Sequence, residues 1–460
     1  MNSVSDVLVY ILLAVIVVAF VGLGVLYAVQ TPAWQAPDEP AHYNYIAQVA
    51  GAGCCPVIAM GDWDSVYLDQ LKAEQFPEGA DLTPIEYEDH QPPLYYLVGS
   101  LVYRFTGGSL LALRLLSVLF GAGVVIAAYF AVARLLPEKR ELALATAAFV
   151  AFVPQNIAIM ASVNNDSLAN LIVGILLVVT VTYLGNPLRM IRGQYQPLDD
   201  SSRPHAAALG GLIGVAVLTK LTIYAAAGIV LLAVVLRWRG EGRSGRWLVG
   251  QLLWVVLMAL LIGGAWPLRN AQVYGWPDLF GLSTHNAVVE GQLRTAEHIA
   301  AVGFGPYLFD LLSTTYHSFW GQFGWMAVPM PGRVYLLIGL FSLLSLAGLA
   351  LITPRKFLAL SPEQRRALWV FAVLAVLVTL LFAVYNVTFV QFQGRYLYPA
   401  LIPLALLPVL GLWGWSRWLA GLLKGEMWQQ ALRWLPLAAL AWMPLLSLIA
   451  LFRYVVPNLD

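Results

Sequence analysis

Apolar residues in this chain gather into long, nearly uninterrupted runs separated by short polar segments. Crossing a ~30 Å hydrocarbon layer takes about 20 such residues in a helix. Runs of this kind lie near 7–29, 109–136, 141–160, 167–185, 247–266, 334–353, 367–386, 396–416 and 435–453. The first has no Lys or Arg before it and is too long for a signal-peptide core, so it reads as an anchor. The stretch 205–236 differs. As one helix it would be about 48 Å long, more than the layer holds. Two short crossings turning at Thr219-Lys220-Leu221 fit better. The pattern predicts an all-α polytopic membrane protein with about eleven transmembrane helices.

Two segments between runs are too long to be mere connectors. Residues 30–108 contain the semi-apolar piece PPLYYLVGSLVYRF (92–105), which is too short to span and is predicted to lie at the interface. Residues 267–333 are rich in Trp, Phe, Tyr, Gly and Pro. Interfacial helices are therefore expected in the first and fourth outer loops, and long ordered loops over a bundle usually carry function.

Composition agrees with this picture. The 460 residues are 60% hydrophobic and 11% charged, against roughly 25% charged in soluble domains. A water-soluble enzyme is excluded, and two cysteines exclude a disulfide-dense scaffold. The net charge of +1 conceals an asymmetry. With the amino terminus in the cytoplasm, 17 of the 26 basic residues fall inside. They comprise Arg134, Lys139, Arg140, clusters at 189–203, 237–246 and 355–366, and Arg417, Lys424 and Arg433. The positive-inside rule supports this orientation. The outer side is then acidic: residues 30–91 hold eleven Asp or Glu and one basic residue, Lys72. No internal repeat favours a secondary transporter, and no Walker or Rossmann pattern marks a nucleotide site.

Candidate chemistry clusters on that acidic side. Pro37-Asp38-Glu39-Pro40-Ala41-His42 sets two carboxylates and an imidazole between prolines, close to the end of the first run. The group suits a base or a metal-linked role, or is an ordinary solvated turn. Glu88-Asp89-His90-Gln91 precedes the interfacial piece; His90 either pairs with His42 or a carboxylate at a metal, or polarises an acceptor. Asp166, in Asn164-Asn165-Asp166, either caps the following helix or faces a cavity under the first loop. Lys220, recessed within apolar sequence, either snorkels or faces water. Lys220, Arg269, Arg333 and Arg395 are basic residues on the acidic side, placed to anchor headgroups or to hold a lipid phosphate. Cys54-Cys55 either closes a vicinal disulfide or stays reduced.

An ordered set of motifs adds a resemblance. PDEPAHYNYIAQVA, HQPPLYYLVG, LALRLLSVLFGA, VPQNIAIMASVNNDSLAN, LTKLT, PLRNAQVYG, FWGQFGWMAVPMP and QGRYLYPAL follow one another between residues 32 and 402. They resemble membrane glycosyltransferases of the C superfamily (GT-C), the group of protein mannosyltransferases and aminoarabinose transferases. Within it, the sequence is most similar to a bacterial family of predicted multi-span proteins, domain of unknown function 2142. The resemblance implies a GT-C fold with a catalytic module over 1–275, which includes the acidic first loop. The outer loop 276–333 and the C-terminal helices would then make up 276–460. It also implies sugar transfer from a polyprenyl-phosphate donor to a protein, lipid or glycan acceptor on the extracytoplasmic side; direct displacement of that donor would invert the anomeric configuration. Asp38, Glu39 and Asp166 fall on catalytic positions. Lys220, Arg269, Arg395 and Tyr398 fall on the donor phosphate, with His42, His90 and Gln91 supporting or binding the acceptor. No cofactor is specified; a divalent metal ion stays open, with His42 and His90 as its candidate ligands. The competing expectation is a transporter or flippase of a lipid-linked sugar.

Overall fold

The computed structural model describes residues 3–185, 188–191, 194–197, 202–352, 360–423 and 425–459. Residue 353, the end of the run expected at 334–353, lies outside the described residues, as do the inner-side Arg192, Arg355, Lys356 and Lys424. Helix α1 (Ser3–Gln30) leads into the 30–108 segment, which carries α2 (Glu39–Ala52), α3 (Ser65–Ala73) and α4 (Leu94–Thr106). The predicted interfacial piece is α4, too short at 13 residues to span. Helix α5 (Leu110–Leu135) returns along α1.

The run expected at 141–160 is not one straight helix. It divides into α6 (Arg140–Phe152) and α7 (Pro154–Met160), bent by 67°. Pro154 has no N–H to give to the preceding turn, and it drives Val153 into extended backbone. Helix α8 (Asp166–Leu184) follows, then a two-stranded antiparallel hairpin, β1 (Leu188–Ile191) with β2 (Gln194–Pro197), that the apolar pattern did not predict.

The stretch 205–236 breaks where the sequence places its turn. Helix α9 (Ser202–Val217) stops, Lys220 is extended, and a 3-10 turn (Leu221–Ala226) opens α10 (Ala227–Gly240). A helix broken inside an apolar layer frees carbonyls that need donors. Here Thr219 Oγ1 reaches the Val215 carbonyl at 2.7 Å, the Tyr224 hydroxyl that of Val217 at 2.7 Å, and the Leu94 N–H that of Leu218 at 2.8 Å. The break is thus sealed partly by the first residue of α4.

Helix α11 (Gly245–Gly263) continues into α12 (Ala265–Val273), and the 267–333 segment adds α13 (Leu282–Val288), α14 (Thr295–Val302) and α15 (Phe304–Trp320). A short antiparallel pair, β3 (Gln322–Phe323) and β4 (Val328–Pro329), precedes α16 (Gly332–Ala347). Helix α17 (Pro362–Thr388), a 3-10 turn (Gly394–Ala400), α18 (Leu401–Leu422) and a broken C-terminal helix complete the bundle.

Among the described residues, nine stretches are long and apolar enough to cross a membrane, or ten with the bent α6–α7 pair. The eleventh expected crossing is α9, which at 16 residues falls short of the about 20 required. Burial separates centre from rim: the apolar window of α8 is 72% buried and that of α11 only 11%. At the opposite faces of α16 and α18, backbones touch. A side chain at Gly411 would collide with the Ser345 carbonyl, the close approach that small residues permit between membrane helices. A second, smaller core lies outside the bundle. It joins Ile58, Leu68, Leu71, Phe76, Ile85 and Tyr87 of the 30–108 segment to Val288 and Val289 of the 267–333 segment.

Candidate active site

Four of the sequence-predicted residues sit at one end of the bundle: Asp38 just after α1, Asp166 opening α8, Lys220 at the α9–α10 break and Arg395 just before α18. Asp38 caps α2 with left-handed backbone, φ 66°. That conformation costs a non-glycine residue energy, least for Asp and Asn. It also turns the Asp38 and Glu39 side chains into different surroundings.

Asp38 Oδ2 accepts a 2.5 Å hydrogen bond from Arg395 Nη2, and Oδ1 accepts one of 2.8 Å from the Tyr87 hydroxyl. The carboxylate keeps 23% of its side-chain exposure, whereas Arg395 keeps 4%. Burial pushes the Asp38 carboxyl up, but the charges of Arg395 and His42 and the two hydrogen bonds outweigh it and hold it at about 2. Asp38 is ionised at neutral pH.

The QGRYLYPA motif explains how Arg395 is aimed. Gly394 passes so close to α15 that a side chain there would strike the Phe319 backbone, and its N–H donates to Ser318 Oγ at 2.7 Å. Gln393 Oε1 accepts from Arg395 Nε at 2.7 Å, fixing the guanidinium plane. Arg395 Nη1 is buried with no hydrogen-bond partner among the described residues. One N–H pair of the guanidinium is thus unpaired within the site.

Beside this pair, Lys220 Nζ donates to Asp166 Oδ1 at 2.6 Å and to Asn165 Oδ1 at 2.7 Å. Asn165 donates to the Tyr96 hydroxyl at 3.2 Å, which meets His42 Nδ1 at 2.9 Å. The Tyr96 hydroxyl, a donor and an acceptor at once, thus links the Asn165 amide to the His42 ring. Burial first, and Lys220 next, lower His42 to about 3, so the imidazole is neutral. The charges of Lys220, Asp38, Asp166 and Arg395 all bear on that ring. These residues form one electrostatic cluster.

Glu39 is placed elsewhere. It is fully buried, and its carboxylate accepts from Arg114 Nε at 2.8 Å, Arg114 Nη2 at 2.6 Å, Val163 N at 3.0 Å and Trp34 N at 3.1 Å. Grouped with Asp38 in sequence, Glu39 is in structure a clamp between the 30–108 segment, α5 and the turn before α8. Arg269 is likewise engaged away from the cluster. Its guanidinium donates to the Cys55 and Pro56 carbonyls at 3.0 and 2.6 Å and packs on Trp266 and Tyr274, pinning one loop segment to the other. The Cys54 and Cys55 sulfurs are paired. Arg333 is exposed at the start of α16. Tyr398, one turn past Arg395, donates its hydroxyl to the Phe319 carbonyl at 2.7 Å.

His90 is buried against the 267–333 segment, its ring 4.2 Å from that of His285, with Nδ1 3.2 Å from the Tyr87 carbonyl. Burial, and then the neighbouring His285, lower its pKa well below the ordinary value. Gln91 Nε2 lies 3.4 Å from His90 Nε2, and the Gln91 main-chain carbonyl accepts from the Tyr45 hydroxyl at 3.0 Å. Among the described residues, the metal-ligand groups that converge are Asp62, Glu86 and Asp89, and neither His42 nor His90 is one of them.

Residues that sequence reasoning missed have roles here. Tyr87 holds Asp38, Asn165 shares Lys220, and Arg114 clamps Glu39. Arg114 had a signal, a charge inside an apolar run, the same signal that singled out Lys220. Glu88 has a buried Oε2 with no hydrogen-bond partner among the described residues; burial, and then Asp38, push its carboxyl up to about 7.

Solved structures share this fold. The chain aligns over 100% of its length with 74% of ArnT from Cupriavidus metallidurans bound to undecaprenyl phosphate, at 16% identity and TM-score 0.53. The apo state of that protein gives 17% identity and TM-score 0.54, over 99% of this chain and 74% of that one. The archaeal oligosaccharyltransferase AglB from Archaeoglobus fulgidus, with an inhibitory peptide and a dolichol-phosphate, gives 12% identity and TM-score 0.51. That alignment covers 98% of this chain and 56% of AglB. The fold is the polytopic GT-C fold. No curated protein matches the sequence. A family model described as "Predicted membrane protein (DUF2142)" matches residues 55–404, most of the chain. The chain belongs to the DUF2142 family of predicted membrane proteins.

Proposed function

We propose that the protein is a glycosyltransferase that moves a sugar from a polyprenyl-phosphate donor to an acceptor on the extracytoplasmic side of the bacterial plasma membrane. The observation that carries this reading is the contact between Asp38 and Arg395. A partly exposed carboxylate and a guanidinium with a free N–H pair meet at the bundle end where Lys220 and Asp166 also lie. A base for the acceptor and cations for a phosphate are thereby within one cluster. The undecaprenyl phosphate bound by ArnT, on the same fold, supports a lipid phosphate as ligand.

In the proposed reaction the acceptor's hydroxyl or amine attacks the anomeric carbon as Asp38 takes its proton. The bond from that carbon to the donor phosphate oxygen breaks, and polyprenyl phosphate leaves with the electron pair. Lys220 and Arg395 stabilise the charge that grows on the phosphate. Direct displacement inverts the anomeric configuration, because retention needs a covalent nucleophile or an equivalent. Arg395 also couples the two substrates. When a donor phosphate draws on its guanidinium, the hydrogen bond to Asp38 weakens and the carboxylate becomes a stronger base.

The test is reconstitution with a polyprenyl-phosphate sugar and an acceptor, following free polyprenyl phosphate. Release matched one-to-one by sugar transfer is expected; flipping of the sugar-lipid without release would overturn the proposal in favour of a transporter. Arg395→Gln should raise the donor KM by roughly tenfold, from loss of a charge-assisted contact. Its pH profile has a defined sign. Without the guanidinium, burial is opposed only by His42 and the Tyr87 hydrogen bond, so protonation sets in at higher pH and the acid limb of activity moves upward from about 2. An acid limb unchanged in Arg395→Gln would separate Asp38 from the rate.

A further inference from the structure

We infer that Asp62, Glu86 and Asp89 form a divalent-cation site in the 30–108 segment, of the oxygen-only kind that suits Ca²⁺. Each offers one carboxylate oxygen, and these oxygens all lie within 4.8 Å of one another. Ca²⁺ takes oxygen ligands at about 2.3–2.6 Å and so reaches such a triangle with small adjustments, whereas Mg²⁺, at about 2.0–2.1 Å, needs a tighter one.

Three acids side by side are by themselves common on a surface. Asp89 is what distinguishes this group. It is 2% exposed, its Oδ2 accepts from Gln48 Nε2 at 3.0 Å, and its Oδ1 has no hydrogen-bond partner among the described residues. A buried carboxylate oxygen without a donor is costly unless a cation or proton meets it. Among the described residues no Lys or Arg pairs with any of the three; the ion pairs of this segment are Lys72 with Asp69, Arg114 with Glu39 and Arg395 with Asp38. Arg269, which joins the two loop segments, spends its guanidinium on the Cys55 and Pro56 carbonyls.

Local folding preforms the group. The Glu86 N–H donates to the Asp62 carbonyl at 3.0 Å, and the Asp89 N–H donates to the Glu86 carbonyl at 3.0 Å. Asp62 Oδ2 is held by the Ala59 N–H at 2.6 Å. The main chain therefore fixes all three before any ion arrives. A bound ion would staple the Asp62 turn to residues 86–89, and Tyr87, which holds Asp38, lies between two of the ligands. Its chemical role is positional: it stiffens the segment from which Tyr87 reaches the cluster.

The experiment uses the full chain in detergent, stripped with chelator and titrated with Ca²⁺ alone by calorimetry. One saturable site is expected, with affinity in the range of about 10⁻⁴–10⁻³ M typical of sparse extracellular sites. Asp62→Asn and Asp89→Asn should each weaken uptake by at least tenfold. Asp69→Asn, in the same segment with an exposed side chain, should stay within twofold. Asp62 is half-buried and keeps its Ala59 contact as Asn, so its variant remains readable if Asp89→Asn does not fold. No saturable uptake by the wild type, or equal uptake by a folded Asp62→Asn variant, overturns the site. Neither result bears on sugar transfer.

Discussion

Asp38→Asn should lower the rate of sugar transfer by about 10²–10⁴-fold, the range typical of a removed general base, without weakening donor binding. Asparagine can still accept the Tyr87 hydroxyl bond through Oδ1, so the local fold keeps one of its two ties. What disappears is the negative charge opposite Arg395. The guanidinium is then left with its full positive charge for a donor phosphate, and the donor KM should stay level or fall. This combination separates two roles that a simple loss of activity would confuse. If Asp38 were only a counter-ion that holds Arg395 in place, its loss would misplace the guanidinium. The KM would rise and kcat would change little. Steady-state kinetics at saturating acceptor, with free polyprenyl phosphate as readout, decides between them. An Asp38→Asn enzyme with wild-type kcat would remove Asp38 from the proposed mechanism.

Arg114→Met should be the most destabilising single substitution among the polar residues around the site, by about 3–5 kcal/mol. It leaves Glu39, with no exposure, as an uncompensated buried charge still facing the Val163 and Trp34 N–H groups. It also removes donors from the carbonyls of Ala28, Thr31 and Pro32, where the chain leaves α1. Carbonyls at a helix end have no partner within the helix, so Arg114 serves there as a cap. Glu39→Gln should cost less, since a neutral amide still accepts from an N–H and leaves Arg114 its three carbonyls. The expected order is wild type, Glu39→Gln, then Arg114→Met, read as thermal midpoints in the same detergent. An Arg114→Met protein that melts with the wild type would contradict the clamp.

The two neighbours in Pro37-Asp38-Glu39-Pro40 show how far sequence reasoning reaches. It marked both carboxylates, because two acids between prolines at the end of an apolar run are unusual. It had no means of dividing their work. The division follows from one left-handed residue and from partners at 357 and 75 positions' separation, Arg395 and Arg114. Arg269 illustrates the converse. Its place at the end of an apolar run matched that of Arg395, and only the folded loops show it occupied by the Cys55 and Pro56 carbonyls.

Lys220 sits between these cases. A charge in mid-run and a stretch too long for the layer together located the helix break, because burial of charge and membrane thickness are properties of composition and length. Its partners Asp166 and Asn165, 54 and 55 positions away, were not readable from length or composition.

The sequence by itself determined the apolar helices, the break at Lys220 and the acidic character of the loop above them. All of these arise from local preference and from the hydrophobic layer the chain must cross. Tertiary structure alone decided the 67° bend geometry at Pro154, the pairing of Asp38 with Arg395 and the diversion of Glu39 and Arg269 to structural work. It also decided the meeting of Asp62, Glu86 and Asp89. Charge pairing depends on distances of a few ångströms between segments far apart in the chain, and those distances are fixed by packing rather than by any local pattern.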